Sequence, residues 1–162
     1  MKVLGKKSLS TLIKIFLWIL FTVCLIVVIL GGVILIKDFT FFKSTNTLKT
    51  LIILYLSSWP ASILISQFIG IFKSLENNNV FDKNNLKRLK ISYISSIIMG
   101  IMYLINSVIL FLNNENENWM IIYMLLTYII TLVFLIFGVG LIVLSEIYKR
   151  AIKYKEENDL TI

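Results

Sequence analysis

Residues 73–91 read KSLENNNVFDKNNLKRLKI, a long polar, charged segment set between two pairs of apolar runs. It holds Lys73, Lys83, Lys87, Arg88 and Lys90 against Glu76 and Asp82. A short basic segment between apolar spans is retained on the side of the membrane where the leaflet is anionic. That placement decides the fold: two spans precede the segment, two follow it, and the chain enters and leaves on the same side.

Composition points the same way. Of the 162 residues, 58% are hydrophobic, and the mean hydropathy is +0.89. Both exceed what a water-soluble domain carries, so lipid is the expected solvent for most of the chain. The net charge of +7 is gathered in clusters beside the apolar runs. Such clusters suit attraction to a membrane surface, and direct nucleic-acid binding is not expected, since that calls for a basic face on a soluble fold.

Outward from the central segment, the reading is of one membrane domain over residues 1–162, with spans at about 12–36, 48–72, 91–112 and 119–145. A loop at 73–90 and a tail at 146–162 complete the cytoplasmic side. The first run is much longer than the roughly 7 to 15 apolar residues of a signal-peptide core and is followed by no small-residue cleavage site, so it is expected to stay as a span. Lys14 lies one turn inside it, where its amine can reach back to the headgroups. Gly31 and Gly32, near the other end, either loosen the helix or admit a neighbour. Cys24 has no partner for a disulfide, and Phe21, Thr22 and Val23 before it do not form a lipidation site, which leaves it as a small apolar filler.

Cations are distributed thirteen to three between the cytoplasmic segments and the two external connections, 37–47 and 113–118 together with Lys49. This bias places both termini inside. The expected fold is therefore all-α: an integral membrane four-helix bundle of two antiparallel helical hairpins, in a multi-pass protein of the cell membrane facing an anionic inner leaflet. Phe39, Phe41 and Phe42 are read as interfacial packing. The tail continues the helical pattern of the fourth span, with Ile147, Ala151 and Tyr154 on one side and an ion pair of favourable order between Glu146 and Arg150.

Within the second span Ser58, Ser62, Ser66 and Gly70 recur every four residues, and Ser92, Ser96 and Gly100 repeat the spacing in the third. Small residues on one helix face let backbones approach closely in lipid, so these are helix-packing stripes. Gln67 and Asn106 are the intramembrane polar residues, each a partner for the other or for a Ser or Thr of another helix. Pro60 removes the N–H that would bond the Leu56 carbonyl and is expected to kink the second span.

The sequence contains no histidine. A Ser-His-Asp triad, a histidine-type zinc site and an imidazole proton relay are excluded, and neither catalytic residues nor a metal or cofactor site is expected. No ionisable residue falls in mid-membrane, which argues against ion-coupled transport.

The loop text NNNVFDKNNLKRLKI, the closing stretch GLIVLSEIYKRAIKYKEENDLTI and the four-span plan together resemble the bacterial membrane family called domain of unknown function 2975. The matching positions are Phe81, Asn84 or Asn85, Leu86, Arg88 and Leu89, then Glu157, Asp159, Leu160, Thr161 and Ile162. The resemblance implies no established activity. It implies a regulatory pairing, because genes of this family often stand beside one for a small helix-turn-helix regulator. Phe81, Leu86, Arg88 and Leu89 of the loop, with Glu157, Asp159, Leu160 and Ile162 of the tail, are accordingly the candidate partner-docking residues, and Asp82 is a candidate cap for the helix entering the third span. The acidic tail end is repelled by an anionic leaflet and better offered to a soluble protein. The expected function is a non-enzymatic, regulatory membrane protein; the alternative is a transport or immunity-type protein acting within the bilayer. A homo-oligomer is also compatible with these features.

Overall fold

The computed structural model describes residues 6–37, 45–77, 82–112 and 118–159. These form four helices, α1 (Lys6–Lys37), α2 (Thr45–Glu76), α3 (Lys83–Leu112) and α4 (Asn118–Asp159). Each is long and apolar enough to cross a bilayer. Continuous apolar sequence yields helix here because lipid offers no partner for a backbone N–H or C=O, and the helix satisfies these groups internally.

The helices outrun the apolar stretches. α2 continues to Glu76 and α3 begins at Lys83, so much of the segment read as a loop is helical. A helix need not stop where its side chains turn polar; it stops where the backbone is capped. Asp82 supplies that signal for α3: its Oδ1 accepts from the Asn84 N–H at 3.0 Å, and its carbonyl accepts from the Asn85 N–H at 3.0 Å. α2 is unbroken through Pro60. The 42 residues of α4 extend for about 63 Å at 1.5 Å per residue, about twice the hydrocarbon thickness of a bilayer.

Packing is serial. α3 and α4 share the most extensive contact, α2 packs on α3, and among the described residues α1 packs only on α2. Where Gly31 and Gly32 sit, the neighbour is a ring: a Cβ at Gly31 would lie 3.0 Å from Cδ2 of Tyr55. At the other end of this pair, the Lys14 ammonium meets the Glu76 carboxylate at 2.5 Å, with Thr11 Oγ1 also donating to Glu76 at 3.1 Å.

The interior is polar and the exterior apolar. Among the described residues, buried polar side chains outnumber buried apolar ones by ten to four, while leucines, isoleucines and valines cover the outside. A water-soluble fold has the reverse arrangement. In lipid, with no hydrophobic drive to bring helices together, small polar residues mark the contacts.

Candidate functional site

The densest polar cluster joins α2, α3 and α4 at the end that carries Glu76 and Lys83. Arg88 is its centre. Nη1 of Arg88 lies 2.6 Å from the Gly70 carbonyl oxygen, 3.0 Å from Ser74 Oγ and 3.0 Å from Asn85 Oδ1. Asn85, which is 1% exposed, donates through Nδ2 to the Tyr148 hydroxyl at 3.3 Å. One guanidinium and one amide thus connect three helices. Gly70 is required by this geometry, since a Cβ there would fall 2.7 Å from Arg88 Nε.

Two candidate docking residues lie within or beside this cluster. Arg88 is occupied by α2 and by its own helix, and Leu89 is 4% exposed, packed rather than presented. Both are on the inward face of α3, whose direction loop text does not disclose. Leu86 is half-buried, Glu157 is exposed, and α4 ends at Asp159. Phe81, Leu160 and Ile162 lie outside the described residues, as do Val80, Phe39, Phe41 and Phe42.

The two serine stripes divide. In α3, Ser92 and Ser96 are fully enclosed; Ser92 Oγ donates to its own helix at Arg88 O, and Ser96 Oγ crosses to the Phe134 carbonyl of α4 at 2.8 Å. Gly100 abuts Leu135, and Gly138 of α4 abuts Ile97. In α2, Ser58 is buried, whereas Ser62 and Ser66 are half-buried. Their hydroxyls return to the carbonyls of Tyr55, Trp59 and Ile63 on their own helix. In this part of α2 it is Ser57, outside the stripe, that reaches α3, 3.3 Å from the Tyr103 hydroxyl, and Tyr103 stacks on Phe134 at 6.0 Å. Phe68 of α2 and Phe137 of α4 form a second stack, with ring centroids 6.1 Å apart, that reaches across by side chains alone. Ser57, Tyr103 and Tyr148 had no periodic signal to single them out.

Gln67 and Asn106 do not pair. Gln67 Nε2 donates to the adjacent Ser66 Oγ at 3.3 Å. Asn106 is 1% exposed, and its Oδ1 has no hydrogen-bond partner among the described residues. Thr127 and Thr131 of α4 are as deeply buried, but their hydroxyls bond back to Met124 and Thr127 of their own helix.

Beyond Ser145 the α4 face that packs is Tyr148 and Ile152. Ile147 and Tyr154 point away, with Tyr154 66% exposed. The ion pairs Glu146–Arg150 at 3.7 Å and Lys153–Glu157 at 3.6 Å lie along the same segment.

The family model described as "Protein of unknown function (DUF2975)" matches residues 7–162. The chain belongs to this family. Comparison with curated proteins and with solved structures finds no match. The matched range spans all four helices.

Proposed function

We propose that this protein is a non-enzymatic regulatory element of the cell membrane, built as two antiparallel hairpins with both termini inside. Its loop and tail present a contact surface to a soluble partner, a small helix-turn-helix regulator being the partner that the family resemblance implies. The observation that carries this reading is the α4 extension: past the apolar run it continues to Asp159 with Ile147 and Tyr154 exposed. Tyr154, nine residues and about 13.5 Å past Ser145 on the helix, clears the headgroup layer, and an exposed aromatic side chain on a rigid helix is suited to a protein contact. The charge bias of thirteen cations to three supports this orientation.

A bilayer-acting role is the second reading, and the unpartnered Asn106 Oδ1 favours it. Against conduction stands the tight closure around Ser92, Ser96, Asn106 and Thr131, which are packed between helices. The two readings separate by mutation. Ile147→Lys with Tyr154→Lys is expected to abolish regulation while membrane insertion persists, and Gln67→Leu with Asn106→Leu is expected to leave regulation in place. The opposite pattern rejects tethering.

A further inference from the structure

We propose that the cleft between the first turns of α3 and the extension of α4 is a binding site for the phosphate headgroup of an anionic phospholipid. The cleft measures about 670 Å³ and is lined by Lys83, Lys87, Lys90, Lys149, Arg150 and Lys153, with Glu146 and Glu156 as the carboxylates. Six cations against two carboxylates leave four positive charges in excess. The carboxylates are already engaged: Glu156 meets Lys83 at 2.9 Å, and Glu146 lies 3.7 Å from Arg150 and 3.9 Å from Lys149. No ion pair forms at Lys87 or Lys90 among the described residues. Their ammonium groups are available to an external anion.

Position selects a lipid as the occupant. On α3 the apolar run begins at Ile91, and on α4 it ends at Ser145, so Lys90 and Glu146 are the first residues beyond it on each helix. Lys83 is a further two turns out, about 10 Å at the rise of a helix, whereas a headgroup layer is about 5 to 8 Å deep. The cleft therefore begins at headgroup depth and opens to water. Leu86 and Ile152 also line it, an apolar component that an amphiphile can use and a free phosphate cannot. Basic pockets between membrane helices at this depth suit anionic headgroups.

The test uses the purified full chain in vesicles of equal parts phosphatidylcholine and phosphatidylglycerol, with retained lipid counted by native mass spectrometry after extraction. No partner protein is present, so the outcome is separate from that of tethering. Phosphatidylglycerol is expected to remain on the native chain, and Lys87→Gln with Lys90→Gln should weaken its retention about tenfold or more. Lys87→Arg with Lys90→Arg should keep it. Lys73→Gln with Lys155→Gln removes as much charge outside the cleft and should have no effect. Equal loss in that control pair would reduce the site to general surface charge and overturn the proposal. So would retention that ignores the cleft variants, or protection of Lys87 and Lys90 from acylation by inorganic phosphate or an acidic peptide but not by phosphatidylglycerol.

Discussion

Arg88 Nη1 donates to the Gly70 carbonyl oxygen at 2.6 Å, so a cation from the segment that separates the two span pairs is turned inward to hold α2 against α3. The Gly70 carbonyl also accepts from Ser74 Oγ at 3.2 Å, and Arg88 can approach it because no side chain at Gly70 stands in the way. The same guanidinium reaches Ser74 and Asn85, and Asn85 reaches Tyr148. Arg88 thus ties α2 to α3 at this end, and Asn85 carries the connection on to α4.

Arg88→Leu should destabilise the protein by about 1.5 to 3 kcal/mol, the range for hydrogen bonds to a charged group. Gly70→Ala should also destabilise, by forcing a Cβ to 2.7 Å from Arg88 Nε. In the Arg88→Leu background the glycine substitution should lose most of its effect, because the clash and the lost bonds are one event. Reversible unfolding in mild detergent, run as a double-mutant cycle, measures the coupling. Additive losses would mean that Gly70 acts apart from Arg88.

Gly138 and Gly140 should behave oppositely. A Cβ at Gly138 would stand 2.9 Å from Cγ1 of Ile97 and 3.6 Å from Ser96 Cβ, whereas one at Gly140 meets nothing within 4 Å. Gly138→Ala is expected to cost about 1 to 3 kcal/mol by overpacking. Gly140→Ala should be neutral or stabilising by up to about 1 kcal/mol through helix propensity. Thermal denaturation of the two variants side by side distinguishes them.

Asn106→Leu should leave stability unchanged or raise it, since it replaces a buried acceptor that has no partner by an apolar group of similar size. Asn106→Ala should lower it by opening a void. Denaturation measurements on both variants check this. A large loss in the leucine variant would mean that the carboxamide serves a contact made by something outside this chain.

The Lys14–Glu76 pair should be recoverable by exchange. Its side chains are partly exposed, so solvent screens the attraction, but α1 has only α2 to pack on among the described residues. Lys14→Glu and Glu76→Lys should each loosen α1, and the double exchange should restore it. Disulfide trapping between cysteines placed at Gly31 and Tyr55 reports the docking.

The existence of four apolar helices was legible in the sequence because an apolar run of membrane length has few alternatives. The Asp82 cap and the Glu146–Arg150 pair were legible as well, since each depends on residues a few positions apart. What was not legible depends on which way a helix faces. Arg88 reads as a surface cation until the register of α2 on α3 puts Gly70 beside it. Gln67 and Asn106 read as partners until that register separates them. Ser58, Ser62 and Ser66 keep the spacing of a contact, yet their hydroxyls bond back to their own helix, and Ser57 and Ser74, outside the stripe, are serines that reach α3. Spacing defines a face of a helix but not the neighbour that covers it.

The most direct test of tethering is crosslinking and affinity capture from intact membranes, comparing the full chain with one lacking Tyr154–Ile162. Both forms must insert equally, which protease protection establishes beforehand. Recovery of a small DNA-binding protein with the full chain alone is the expected result and places the contact on the α4 extension. Recovery of that protein at equal yield from both forms, or from neither, would contradict it.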